Sequence, residues 1–267
     1  MALFEISLFS NALRRRVPVT AIVPVEELNI PGFPKFDKSK PFRAVFLLHG
    51  FSESEAAWLR GTGIELYAAM HNIAVFMPSG ENSFYLDDTS RDALYEQYLC
   101  KELVEFTRVV FPVSRERRDT TIGGLSMGGY GAIRNGLKHN EVFGNILAFS
   151  SALITDRVAD GIEQRNNPIA SAEYYTHVFG DKDQLRGSDN DPKALAKKLV
   201  ESASPVPGIF MACGTEDILL DVNRDFHEYL AQIGMKHVYM ESPGVHDSVF
   251  WDECIQKALV WLDDLDG

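Results

Sequence analysis

Ala44-Val45-Phe46-Leu47-Leu48 is an uninterrupted apolar run of strand length. A strand with no polar face has to be covered on both sides, which is the situation of a parallel sheet packed between helices. The segments that follow keep to this rhythm. Residues 64–70 predict a helix and 73–77 a strand. Residues 93–110 carry apolar side chains at helical spacing, at Leu94, Tyr98, Leu103, Phe106, Val109 and Val110. Strands are predicted over 120–123, 146–149, 209–213 and 238–241, and helices from about Tyr130 to Lys138, over 226–233 and over 250–262. Strands alternating with helices define an α/β fold with a mostly parallel central sheet and helices on both faces. Ahead of it, Phe4 to Phe9 and Val17 to Val23 read as an N-terminal antiparallel strand pair, followed by a Pro- and Lys-rich connector from Pro31 to Pro41. Sheets of this kind bind ligands at the carboxyl ends of their strands.

The rhythm breaks once. Residues 151–204 separate two predicted strands and contain Arg157, Asn166-Asn167-Pro168, Gly187-Ser188-Asp189-Asn190-Asp191 and a helical stretch from Lys193 to Glu201. That is too long for a plain crossover, and it is expected to form a cap of helices and loops over the binding face. The chain has 26 basic and 38 acidic residues, a net charge of −12, which argues against nucleic acid and anionic membranes as partners. Its one basic cluster, Arg14-Arg15-Arg16, reads as a solvated strand end. No run approaches the ~18 apolar residues that cross a bilayer. Met1 to Ser10 lacks the basic start and apolar core of a secretory signal. Cys100, Cys213 and Cys254 are isolated and read as reduced, packed thiols of a cytoplasmic protein. No histidine has metal-ligand spacing with a second His or Cys, so no metal site is expected.

Gly124-Leu125-Ser126-Met127-Gly128 lies between a predicted strand and a predicted helix. In that setting G-x-S-x-G places a serine on a tight turn with its hydroxyl exposed. On its own the pattern is weak, and a tight turn without chemistry is the alternative. A serine nucleophile needs a base, usually histidine, and a buried acid that fixes the histidine tautomer. Both occur downstream at strand ends. Gly214-Thr215-Glu216-Asp217 follows one strand, and Ser242-Pro243-Gly244-Val245-His246-Asp247 follows another. His246 is the candidate base, with a surface or helix-capping histidine as the alternative. His71, His139, His177, His227 and His237 have no such placement. Asp217 is the candidate acid and Asp221 its competitor, since Asp221 opens the next helix and can simply serve its N-terminus; Glu216 would point elsewhere. An oxyanion needs backbone N–H groups, expected from Met127 after the nucleophile and from Phe51 in the loop His49-Gly50-Phe51-Ser52. His49 reads as a brace for that loop rather than a base.

Leu47-Leu48-His49-Gly50, the stretch Gly124 to Ala132, Gly214 to Asp217 and Gly244 to Asp247 together resemble the esterase D group of α/β-hydrolases, and most nearly its tributyrin-esterase branch. Relatives of that branch include acetyl and feruloyl esterases, S-formylglutathione hydrolases and mycolyl transferases. The likeness covers nearly the whole chain, including Ala57-Trp58-Leu59 and Phe84-Tyr85. It implies a single α/β-hydrolase domain over 1–267 with a cap insertion at about 151–204. It implies a cofactor-free serine carboxylesterase that hydrolyses short-chain acyl esters through an acyl-enzyme, with Ser126, Asp217 and His246 as its triad. A small-molecule ester as partner and a homo-oligomeric state are further implications. A thioesterase of the S-formylglutathione hydrolase kind, or an acyltransferase, could run on the same triad; the last alternative is a non-catalytic binding protein on the same fold. The formylglutathione members usually carry a histidine where this chain has Tyr130, which argues against the thioesterase. Phe51, Trp58, Tyr85 and Tyr130 are candidate walls of the substrate pocket, with core packing as the alternative for each aromatic ring.

Overall fold

β1 (Ala2–Ser10) and β2 (Arg15–Val23) pair antiparallel, from Ala2 opposite Val23 to Ser10 opposite Arg15. The coordinates are a computed structural model that describes residues 1–26, 39–163, 169–202 and 204–265. The expected connector from Pro31 to Pro41 thus falls outside the described residues as far as residue 38, as do Asn166, Asn167 and Pro168. Next come β3 (Arg43–Leu48), α1 (Ala57–Gly61), α2 (Ile64–Met70) and β4 (Ile73–Pro78). A small antiparallel pair, β5 (Asp87–Asp88) and β6 (Ala93–Leu94), leads into α3 (Tyr95–Gln97), a π-helical stretch over Tyr98–Leu103 and α4 (Val104–Val110). The centre of the chain is β7 (Thr120–Leu125), α5 (Met127–Lys138) and β8 (Asn145–Phe149). Then α6 (Thr155–Ala159), α7 (Ala172–Phe179), α8 (Lys182–Leu185) and α9 (Pro192–Ser202) precede β9 (Gly208–Gly214), α10 (Leu220–Gln232), β10 (Val238–Ser242) and α11 (Ser248–Asp264).

Among the described residues the main sheet has eight strands in the order β1-β2-β4-β3-β7-β8-β9-β10. β2 meets β4 antiparallel, and every pairing beyond that is parallel. Both-sided burial of β3 follows from its alternation. Ala44, Phe46 and Leu48 join a core layer with Tyr130, Ile133 and Leu137 of α5 and Phe226 and Leu230 of α10. Val45 and Leu47 join the opposite layer with Trp58, Ile64 of α2, and Phe250, Ile255 and Leu259 of α11. Register brings the carbonyl ends level. Leu48 lies opposite Gly124, Leu125 opposite Phe149, Phe149 opposite Ala212, and Ser242 opposite Gly214.

Three expectations about elements need correction. The helix expected over 93–110 begins only at Tyr95, because the Asp87 carboxylate accepts the N–H groups of Glu96 (2.8 Å) and Gln97 (3.2 Å) and so sets the first turn. The helix expected from about Tyr130 begins at Met127, directly after the serine. The helix expected from Phe226 begins at Leu220. The basic cluster is neutralised locally: Arg14 pairs with Asp92 at 3.3 Å and Arg15 with Glu81. Among the described residues no helix is long and apolar enough to cross a membrane.

Candidate active site

Ser126 joins β7 to α5 with φ 53° and ψ −118°, a left-handed conformation that costs a non-glycine residue energy and persists only where its surroundings hold it. Here they do. Its N–H donates to Phe149 O (2.9 Å), and its carbonyl accepts from the N–H groups of Tyr130 (3.1 Å) and Ala152 (2.9 Å). Gly124 and Gly128 let the chain cross itself: a Cβ on Gly124 would stand 2.3 Å from Gly128 O, and one on Gly128 2.3 Å from Leu48 O.

The loops after β9 and β10 are tied together. Glu216 N–H donates to Gly244 O (3.0 Å), and Gly244 N–H returns a bond to Glu216 Oε2 (2.7 Å). Gly214 permits this approach, since a Cβ there would meet Gly244 O at 2.2 Å. The consequence is a continuous chain of polar contacts. His246 Nε2 is 3.0 Å from Ser126 Oγ, and His246 Nδ1 is 3.0 Å from both Asp217 oxygens. Asp217 is buried, while Glu216 is exposed and occupied with Gly244, and Asp221 is exposed in the first turn of α10. Geometry therefore sets Asp217, and neither competitor, against the imidazole. Burial pushes the Asp217 carboxyl up, but hydrogen bonds from His246, the Ser150 hydroxyl and Leu219 N–H outweigh it and hold the group below its ordinary value.

His49 is buried, with Nε2 accepting Gly80 N–H at 2.9 Å. Nδ1 must then carry the proton, which it donates to Gly50 O at 2.8 Å. Burial lowers its pKa, so the neutral ring braces the loop on either side of Gly50. Phe51 and Met127 lie beside Ser126 and His246 on the wall of one cavity of about 790 Å³.

Trp58 lines that cavity and anchors itself by donating its indole N–H to Leu48 O at 3.0 Å. Tyr85 and Tyr130 do not line it. The Tyr85 hydroxyl donates to His49 O (3.1 Å) behind the loop, and the Tyr130 hydroxyl donates to Asn190 O (2.7 Å). Both rings fill the core because these backbone acceptors satisfy their hydroxyls in place. The sequence reading did not find Phe84, Ile154, Tyr175 or Trp251, which also line the cavity, nor the Arg157–Glu163 ion pair (2.6 Å) on its wall. Ser150 also went unread, although it directly follows a strand, the placement that located Ser126 and Asp217. Among the described residues, no group of three or more His, Cys, Asp or Glu side chains is placed to hold a metal ion.

A mostly parallel sheet, a serine on a strained strand-to-helix turn, and an imidazole and a carboxylate in series with it define an α/β-hydrolase. The chain belongs to the esterase family described as "Putative esterase", whose model matches residues 26–262. It is 43% identical to an acetyl esterase of Caldicellulosiruptor saccharolyticus over 98% of each chain. Its structure is similar to that of the fluorophosphonate-binding serine hydrolase F of Staphylococcus aureus, with a TM-score of 0.84, 29% identity and 98% of each chain covered. It is also similar to an S-formylglutathione hydrolase of Staphylococcus aureus, with a TM-score of 0.82, 27% identity and 98% of each chain covered. The protein is a serine esterase, a carboxylic ester hydrolase.

Proposed function

We propose that Ser126, His246 and Asp217 are the catalytic triad and that the enzyme hydrolyses esters of short acyl groups, acetyl foremost. The observation that carries this reading is the unbroken hydroxyl–imidazole–carboxylate chain at 3.0 Å per link. His246 Nε2 takes the proton as Ser126 Oγ attacks the ester carbonyl, and the Met127 and Phe51 amides receive the developing oxyanion. His246 then protonates the leaving alcohol. Water, deprotonated by the same nitrogen, releases the acid from the acyl-enzyme. Asp217 stays ionised, holding the Nδ1–H tautomer and the imidazolium.

The acetyl preference is supported by the acetyl esterase relative. An acetyl group occupies a small part of a cavity of about 790 Å³, which leaves room for a sizeable alcohol moiety. Residues 151–204 act as a cap in this proposal, supported by Ile154, Arg157, Ile162 and Tyr175 on the cavity wall. Placement in the tributyrin branch of the esterase D group belongs to the same proposal. So does a cytoplasmic setting, in which the free buried thiols stay reduced. The formylglutathione reading keeps a place beside it because the Staphylococcus aureus structural relative at 27% identity bears that activity in its name.

Ser126→Ala should lower turnover of 4-nitrophenyl acetate by roughly 10³-fold or more and abolish fluorophosphonate labelling. Retained turnover or labelling refutes the triad. Acyl chains from C2 to C8, run beside S-formylglutathione, decide the substrate class, and size-exclusion chromatography tests the homo-oligomer.

A further inference from the structure

Ser150 is fully buried at the end of β8 with φ 46°, a second serine held in the left-handed region. Its N–H continues the ladder to Ala212 O at 2.8 Å, so the backbone beneath the hydroxyl is fixed. Trp251 lies in the first turns of α11, and its indole Nε1 is 3.1 Å from Ser150 Oγ. An indole N–H can only donate, so Ser150 Oγ must accept from it and its own proton is left to give. The Asp217 carboxylate and the Cys213 sulfur are the two acceptors beside it, and the ionised carboxylate is the stronger of the two. The ring of Trp251 in turn stands at 90° to the His246 imidazole, with centroids 5.0 Å apart. Asp217, His246, Trp251 and Ser150 thus form a closed circuit of contacts, every member touching the next.

We propose that Ser150 and Trp251 are positioning residues that align Asp217 and His246 for proton transfer with Ser126. The inference rests on the triad reading. The three donors and acceptors point one way, from indole N–H to hydroxyl to carboxylate, and aligned bonds of this kind polarise one another. The Ser150 hydroxyl adds a donor to a buried carboxylate that already accepts from the imidazole and from Leu219 N–H at 2.8 Å. The Trp251 ring, edge-to-face against the imidazole, also restricts the plane of His246.

The other ionisable groups around this corner are already occupied or neutral. The Cys213 thiol, also in contact with Ser150, is pushed up to about 12 by burial. Glu216 accepts Gly244 N–H at 2.7 Å, and Asp247 accepts Phe250 N–H at 3.0 Å. Glu241 pairs with Arg224 at 2.7 Å, and Asp221 is exposed on α10. Arg157 and Glu163 pair with each other on the cavity wall.

Ser150→Gly tests the role without backbone strain, because glycine adopts φ 46° freely. A hydrogen bond to a charged group is worth enough that kcat for 4-nitrophenyl acetate should fall about 10- to 100-fold, with KM within about twofold. Loss of the donated proton also leaves the Asp217 carboxylate more basic. A more basic carboxylate favours the imidazolium, so the acid limb of kcat/KM against pH should move to higher pH. Trp251→Phe keeps the aromatic wall but removes the N–H, and should shift the limb the same way with a smaller loss in kcat. Ser150→Gly with kcat within about twofold of wild type, or with lowered kcat and an unmoved limb, overturns the proposal. If Ser150→Gly does not fold, an unmoved limb in Trp251→Phe overturns it. An active Ser126→Ala enzyme, by contrast, refutes the triad itself, which separates the two failures.

Discussion

Replacing Gly128 by alanine should disable the enzyme at the point where the two halves of the proposed oxyanion site meet. A methyl group at that position would stand 2.3 Å from Leu48 O, 2.6 Å from Leu48 C and 2.7 Å from His49 O. Ordinary contact begins at 3.4 Å, and all three neighbours are backbone atoms with no rotamer to escape into. The N-terminus of α5 and the end of β3 must therefore separate by about 1 Å. Met127 sits on one side of that gap and the loop carrying Phe51 on the other. Oxyanion donors work within a window of about 2.7–3.1 Å, so a drift of this size takes one of them out of range. Loss of one such donor, or a misplacement of about 1 Å, costs on the order of 10²-fold in kcat. The overpacking itself should destabilise the fold by about 1–3 kcal/mol. Gly234→Ala is the matched control: at φ 73° it is strained, but nothing lies within 4 Å of the new methyl, so it should lose about 1 kcal/mol with kcat unchanged. The assay is 4-nitrophenyl acetate turnover per folded molecule, with Tm measured alongside. A folded Gly128→Ala enzyme with kcat within about threefold of wild type would refute the reasoning.

Glu96 is buried beside Arg134 and is held by Lys138 at 3.0 Å and His139 at 2.8 Å. Burial pushes its carboxyl up, but these partners outweigh it and hold the folded-state pKa below the ordinary 4.5. A depressed carboxyl stabilises the fold above its unfolded-state value, and that contribution fades as pH falls through the folded-state value. Glu96→Gln should therefore cost about 3–5 kcal/mol at pH 7, and the gap in Tm to wild type should narrow below about pH 4.5; a gap constant from pH 7 to pH 3 contradicts this. Cys100, Cys213 and Cys254 are free and buried, with burial pushing the Cys213 and Cys254 thiols up to about 12 and Cys100 well above its ordinary value. A disulfide reagent such as DTNB should leave all of them unmodified in the native protein at pH 8 and titrate them after unfolding. Rapid reaction before unfolding would show that the packing around these thiols is wrong.

Strands buried on both faces are written in the sequence as continuous apolar runs, which is why β3, β4, β8 and β9 are legible from Ala44-Val45-Phe46 and its counterparts; β7, Thr120-Thr121-Ile122-Gly123-Gly124-Leu125, has no such run and is legible only beside the G-x-S-x-G turn. The start of α5 is not. Gly128, Gly129 and Gly131 lower local helix propensity, and only the close crossing of Gly128 over Leu48 makes glycine the residue that lets a helix begin there. Tyr85 and Tyr130 look like pocket walls in sequence because nothing local reveals the partners of their hydroxyls, His49 O and Asn190 O. Placement at strand carboxyl ends is the rule that singled out Ser126, Phe51, Asp217 and His246 as candidates. Register sets Leu48, Leu125, Phe149 and Ala212 level across the sheet, so residues far apart in sequence emerge at one edge. The same rule applies to Ser150, one residue past β8, with its tryptophan partner 101 positions away. A motif search passes over it because a lone serine has no distinctive spacing. Its proposed role comes from hydrogen-bond polarity instead: the donor-only indole makes the hydroxyl oxygen accept, and of the two acceptors beside its proton the ionised Asp217 carboxylate is stronger than the Cys213 sulfur.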